Sequence, residues 1–211
     1  MLNTKIAALA AVSVMTAASM AAASIQISVT GFDFSYDGED ITDADAAGSD
    51  ELASVDFFSD GVLVGSLTPA DGIAADLLIE DVLGIPVGGG VVTSAATLGF
   101  GLDLTFGPNE FLFLDLEDVQ VFYSGSQIGV TGVTGDVEVA LQNLPFGLEI
   151  DEGEPVSFSF SGLITDLTDN GQFVTSFDAS GTAEVRGEII PEPASIAMLG
   201  LGGLTLLRRR R

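Results

Sequence analysis

The chain has 211 residues, of which 31 are Asp or Glu and only six are Lys or Arg, a formal net charge of −25. It contains no Cys, His or Trp, and its one lysine is Lys5. That length suits one domain with short appended segments, while the composition excludes disulfides, Cys-based metal sites, thiol nucleophiles and the usual general base near neutral pH.

The charge is unevenly placed. Between residues 24 and 190, thirty acidic residues face a single arginine, Arg186, and four of the remaining cations are the last four residues. Such a body repels phosphate backbones and anionic headgroups, so nucleic-acid binding is excluded for it. Abundant Asp and Glu with almost no Lys also suits a protein that stays solvated in salty water.

The first segment, MLNTKIAALAAVSVMTAASMAAAS, places Lys5 before an apolar run from Ile6 to about Val14, followed by small residues. Ala21-Ala22-Ala23 offers an A-x-A cleavage site before Ser24. This is the pattern of a secretory signal peptide, expected over 1–23 as a helix that is removed on export by the Sec route.

From Ser24 to Glu188 the pattern is period-two alternation broken by turn residues, which predicts strands. SIQISVTGFDFSY places Ile25, Ile27 and Val29 on one face and then Phe32, Phe34 and Tyr36, with Gly31 as the expected bulge or bend. VDFFSDGVLVGSL carries Asp60-Gly61 between two apolar runs, a hairpin signal because both residues tolerate positive φ. IAADLLIEDVLG, 73–84, reads as a strand or equally as a short helix. FLFLDLEDVQVFY is expected to be one long strand from Phe111 to Tyr123. GDVEVALQNL follows, and then PVSFSFSGLITDL, where Val156, Phe158 and Phe160 alternate with serines. Asp169-Asn170-Gly171 predicts a tight turn before QFVTSFDASGTAEVRGEI. Nine or ten candidate strands at this spacing predict an all-β domain over 24–188, an antiparallel β-sandwich of jelly-roll type.

The tail, 189–211, opens with Pro191-Glu192-Pro193. Two prolines one residue apart remove backbone donors and fix φ, so neither strand nor helix continues through them. Ala194 to Leu207 is uncharged and apolar; as a helix it is about 21 Å long, short of the roughly 30 Å hydrocarbon core but extendable by snorkelling arginines and local thinning. Arg208, Arg209, Arg210 and Arg211 then act as a cytoplasmic anchor under the positive-inside rule. The expected product is an exported body held transiently at the inner membrane by a short C-terminal transmembrane helix.

Pro191-Glu192-Pro193, then SIAMLGLGGLTLL, then RRRR, resembles the PEP-CTERM sorting signal of Gram-negative bacteria. The resemblance covers about a tenth of the chain, but its three parts stand in fixed order behind a signal peptide. It implies recognition by exosortase, a membrane cysteine transpeptidase that cuts at or near the triplet, and delivery to the cell surface or beyond. It also implies an association with exopolysaccharide and biofilm matrix. It carries no implication about the activity of the body.

Two stretches of the body invite a site. YDGEDITDADAAGSDE, 36–51, is a candidate weak Ca²⁺ loop through Asp43, Asp45, Asp50 and Glu51. Set against an EF-hand starting at Asp43, positions one, three, six and nine read Asp43, Asp45, Gly48 and Glu51. Position five is Ala47 and position twelve is Ser54, so the bidentate Glu is missing; a solvated loop without cofactor is the simpler expectation. The second is a carboxylate pair suited to glycoside hydrolysis, with Asp115 and Glu117 on one strand face beside Asp118. With so many acids, pairs arise by chance. No Ser-His-Asp, Cys-His or Ser-Lys arrangement is available, and GIPVGGGVVTS lacks the lysine of a phosphate loop. The expectation is a non-enzymatic structural or interaction protein of the surface or matrix, bridging to exopolysaccharide or matrix proteins; the alternative is a carboxylate-dependent carbohydrate-active enzyme.

Overall fold

A computed structural model describes residues 23–43, 52–94, 101–116, 119–124, 127–131 and 137–189. The expected signal helix, the sorting triplet with its transmembrane helix and terminal arginines, and Asp45, Asp50, Glu51, Glu117 and Asp118 lie outside these residues.

The described residues form thirteen strands and no α-helix. In chain order they are β1 (Ser24–Tyr36), β2 (Ile41–Asp43), β3 (Ser54–Ser59), β4 (Val62–Leu67), β5 (Ala74–Ile79), β6 (Gly90–Thr93), β7 (Leu102–Thr105), β8 (Phe111–Leu116), β9 (Gln120–Ser124), β10 (Gln127–Thr131), β11 (Val137–Asn143), β12 (Ser157–Asp169) and β13 (Val174–Glu188). Every pairing is antiparallel, and the order across the sheet is β11-β8-β7-β5-β2-β1-β13-β12-β10-β9-β6. The all-β antiparallel character expected from the alternation is therefore present, as one curled sheet.

β1 is the strand at which this sheet forks. Its first half, Ile25 to Thr30, pairs with β3, which carries β4 on its outer edge; its last three residues pair with β2. The fork lies at Gly31, where φ is +78° and the pairing with β13 slips between Thr30 and Phe32. A one-residue slip turns every following side chain to the other face. Here it does the useful reverse: Ile25, Ile27 and Val29 and then Phe32, Phe34 and Tyr36 all stay buried. The two arms of the fork meet across the core, where the Phe57 ring of β3 stands edge-on to Phe106 at 5.1 Å between centroids.

Glycines continue the break across the sheet. Gly181 on β13 pairs with Phe32 on one side and Gly162 of β12 on the other. A Cβ on Gly181 would stand 1.9 Å from the Ser161 carbonyl oxygen, and one on Gly162 would stand 3.1 Å from the Phe34 ring. Gly31, Gly181 and Gly162 thus form a seam across three central strands, and bulges and glycines are the devices that let a sheet curl strongly. The core beneath the seam is aromatic. Phe32 lies edge-on to Phe160 at 5.6 Å, Phe34 touches Phe160 and Phe177, and Tyr36 stacks on Phe177 at 5.2 Å.

Turn chemistry at the hairpins follows the residues. Asp60 and Gly61 have φ of +51° and +73° between β3 and β4, as the Asp-Gly pair predicts. Between β12 and β13, Asp169 Oδ1 accepts from Gly171 N at 2.8 Å, and Asn170 Oδ1 accepts from Gln172 N and Phe173 N.

Two sequence readings change. Residues 73–84, open between strand and helix, contain β5: Ala75, Leu77 and Ile79 are buried in period two, and the chain then turns at Asp81 with φ +58°. The single strand expected from Phe111 to Tyr123 is two strands in opposite wings of the sheet. β8 pairs with β7 and β11, whereas β9 pairs with β10 and β6. The reason is a change of parity: Leu112, Leu114 and Leu116 face inward, and so do Val119, Val121 and Tyr123. No single strand buries both even and odd positions on one face. The crossover is pinned by Ser94, whose Oγ accepts from Val119 N at 3.0 Å while its backbone N donates to Val119 O at 2.9 Å.

Candidate functional site: the paired chain ends and the outer sheet face

The body begins and ends at one place. Ser24, first residue of β1, is the ladder partner of Glu188, last residue of β13. One step further out, Ile189 N donates to the Ala23 carbonyl at 2.7 Å. The β3–β4 turn closes over this corner: Asp60 N donates to Ser24 O at 2.9 Å, and Ser24 N donates to Asp60 Oδ1 at 2.9 Å. The loop after β11 holds the other side. Ile150 bridges Ile189, Asp151 N donates to Glu188 O at 2.8 Å, and Gln142 grips Ile150 through both amide atoms, accepting from its N at 2.8 Å and donating to its O at 2.7 Å. The polypeptide preceding Ala23 and that following Ile189 therefore attach at adjacent points.

Of the candidate ligands Asp43, Asp45, Asp50 and Glu51 only Asp43 is described, and among the described residues no group of three acidic side chains is placed to hold a metal. Asp43 lies on β2, opposite Phe34. Its neighbours Asp37 and Asp40 serve the backbone instead. Asp37 Oδ1 accepts from Asp40 N and Glu39 N, and these bonds hold its carboxyl below the usual range, the bond from Asp40 most. Asp40 Oδ1 accepts from Asp81 N at 3.0 Å.

The carboxylate expected for hydrolysis, Asp115, lies on β8 opposite Glu138. The perturbed acid of this wing is a residue the sequence did not single out, Asp103 on β7. It stands opposite Asp76, and burial raises its pKa, with the charges of Asp76 and Asp115 adding to the effect. One of its carboxyl oxygens is buried without a hydrogen-bond partner. Like charges opposite one another across a sheet oppose each other's ionisation.

The outer face of the other wing is different in kind. An open trough of about 720 Å³ runs across β6, β9, β12 and β13, with Val91, Phe122 and Leu163 at its apolar borders and Ser124, Ser161, Ser180 and Thr182 supplying hydroxyls. Val91, Phe122 and Leu163 are all exposed. Its floor crosses the seam glycines Gly162 and Gly181. Among the described residues, no charged side chain lines it. The strands that carry these residues are distant in the chain, so no local pattern of the sequence marks the trough.

The described residues thus form an antiparallel β body whose first and last strands end at one corner. Residues 190–211 match the PEP-CTERM protein-sorting motif, which places the sorting signal directly after Ile189. That motif implies processing by exosortase and a secreted, membrane-anchored precursor that is then delivered to the cell surface. Neither a curated protein nor a solved structure matches the chain.

Proposed function

We propose that this chain is a non-enzymatic structural or interaction protein of the cell surface and extracellular matrix, exported with a cleaved Sec leader and sorted through its tail, whose body contacts exopolysaccharide. The sorting motif at 190–211 is the observation that carries the reading. The charge supports a further step: a body carrying thirty acids and one arginine repels anionic polymers, whereas the described lining of the trough on β6, β9, β12 and β13 carries no charge and offers the exposed Phe122 ring and several hydroxyls. A neutral polysaccharide is the matching partner, since few polar groups on an apolar bed suffice to orient a sugar ring. The absence of His and Cys from the whole sequence favours binding over catalysis.

The test compares the full chain with a variant lacking residues 191–211 in cells that possess exosortase. The full chain is expected in the surface and matrix fraction, shortened near the triplet, and the truncated chain in the periplasm. Matrix polysaccharide should co-sediment with the sorted protein, and Phe122→Ser should weaken that. Normal sorting of the truncated chain overturns the tail reading; turnover of a polysaccharide, lost on changing one acid to its amide, overturns the non-enzymatic one.

A further inference from the structure

The corner at Ser24 contains more than a ladder end. Asp60 is held in a left-handed turn conformation, and its carboxylate accepts a bond from one backbone nitrogen of another strand, Ser24 N. In the uncut chain that nitrogen is an ordinary amide. The expected leader ends at Ala23, so hydrolysis of the Ala23–Ser24 bond consumes one water, leaves a carboxylate on Ala23 and turns the nitrogen of Ser24 into an α-ammonium. We propose that Asp60 is the receptor for the mature N-terminus: leader removal converts an amide-to-carboxylate hydrogen bond into an ion pair between the Ser24 ammonium and Asp60.

The inference rests on the export reading. Its second consequence concerns the other end of the chain. The Ala23 carbonyl is the acceptor for Ile189 N, and it departs with the leader. The mature ladder then closes one residue earlier, at Ser24–Glu188, and Ile189, the last residue before the sorting motif, loses this tie to β1 while keeping its bridge to Ile150. Leader cleavage thus tightens the N-terminal end of the corner and loosens the approach to the exosortase site.

Among the described residues, the loop after β11 brings Asp151 to this corner, its N bonded to Glu188 O. Asp60 comes from the β3–β4 turn, and Glu188 is opposite in β13. Arg186 lies one step along, opposite Gln26, and is occupied by an ion pair with Glu184. Three carboxylates against one engaged cation favour the charged amine, and hydrogen bonds to a carboxylate strengthen when the donor is ionised.

Composition makes the test unusually clean. Lys5 is the only lysine and lies within the leader, so a chain beginning at Ser24 has one amine, its own N-terminus. The full chain, expressed with its leader and exported, is purified; its first residue is read by mass spectrometry, and its acylation by an amine reagent is followed from about pH 6 to 9, around the ordinary α-amine value near 8. The expected result is one label per chain, on Ser24, with the amine titrating about half to one unit above that value. Asp60→Asn should then acylate about three- to tenfold faster at neutral pH, while Asp56→Asn on β3 leaves the rate unchanged. A first residue other than Ser24 overturns the cleavage reading and the receptor with it. A Ser24 amine titrating at or below its ordinary value overturns the receptor alone and leaves export standing; this wild-type measurement decides even if Asp60→Asn does not fold.

Discussion

Gly181→Ala is the substitution that most directly tests the seam. Its Cβ would sit 1.9 Å from the Ser161 carbonyl oxygen and 2.6 Å from the Gly162 Cα, both backbone atoms of the neighbouring strand. An ordinary contact needs more than 3 Å, so β12 and β13 must part by well over 1 Å at this point, enough to break two or three of their ladder bonds. Leaving those buried groups unpaired costs about 1–2 kcal/mol each, for a total of about 2–6 kcal/mol. That is a large share of a typical domain's stability of about 5–15 kcal/mol. In urea, with a slope of about 2 kcal/mol per molar, the midpoint should fall by about 1–3 M at unchanged slope. Gly65→Ala on β4 is the discriminating control. Its Cβ would stand only 2.4 Å from an atom, but that atom is the far end of the Phe146 ring, which is about half exposed and can move outward at the expense of its edge contact with Phe57. It should cost about 1 kcal/mol or less. If Gly181→Ala lowers the midpoint no more than Gly65→Ala does, the seam is not where the sheet's curl is made.

Four further outcomes concern individual side chains. Both tyrosines should resist ionisation. Tyr36 is pushed up to about 12 by burial, with Asp37 and Asp40 adding to it, and Tyr123 is raised by burial and by Asp169. Phenolate absorbance should therefore stay low in the folded protein at about pH 10.5 and appear on unfolding. Because the folded pKa of Tyr36 exceeds the unfolded one, its stabilising contribution is intact below about pH 10 and is lost between about 10 and 12. Tyr36→Phe orphans the Val82 carbonyl, to which the hydroxyl donates at 2.7 Å, and should cost about 1–2 kcal/mol by denaturant melting. Asp103→Asn has the opposite sign. The folded pKa of Asp103 is raised, so the charge weakens the fold as pH climbs through it; the amide should stabilise by about 0.5–1 kcal/mol near neutrality and by nothing at about pH 3. Gln142→Leu should expose the exit of β13 by freeing Ile150, seen as faster hydrogen exchange at Asp151 and Ile189 with little change in the global midpoint.

Much of the architecture was legible because it rests on local rules. The alternation of β1, with its change of phase at Gly31, is a statement about neighbouring residues, and so is the Asp60-Gly61 turn. The sorting tail was legible for the same reason: its parts are contiguous. What the sequence withheld depends on residues that meet only after folding. The reading of Phe111 to Tyr123 as one strand passed over the shift of inward parity between Leu116 and Val119, and nothing local says that this shift sends the chain to the opposite wing of the sheet. Gly181 looks like any turn glycine until Ser161 stands against it. Asp103 is one acid among many until Asp76 and Asp115 are placed beside it. The trough combines strands separated by some ninety residues, so no window along the chain contains it.

Arg186 has a consequence outside the cell. Once the leader and tail are gone it is the one residue after which a trypsin-like protease can cut. It sits within β13, with β1 bonded on one side and β12 on the other. Proteases thread an extended, unpaired stretch through their clefts, which is why they favour exposed loop tips. Here the scissile bond becomes reachable only when the central strand of the sheet is pulled free of both neighbours. A secreted β protein of this composition is thereby spared a whole class of digestive enzymes common in crowded extracellular surroundings, and the same scarcity of sites makes it nearly silent in any survey that identifies proteins by their tryptic peptides.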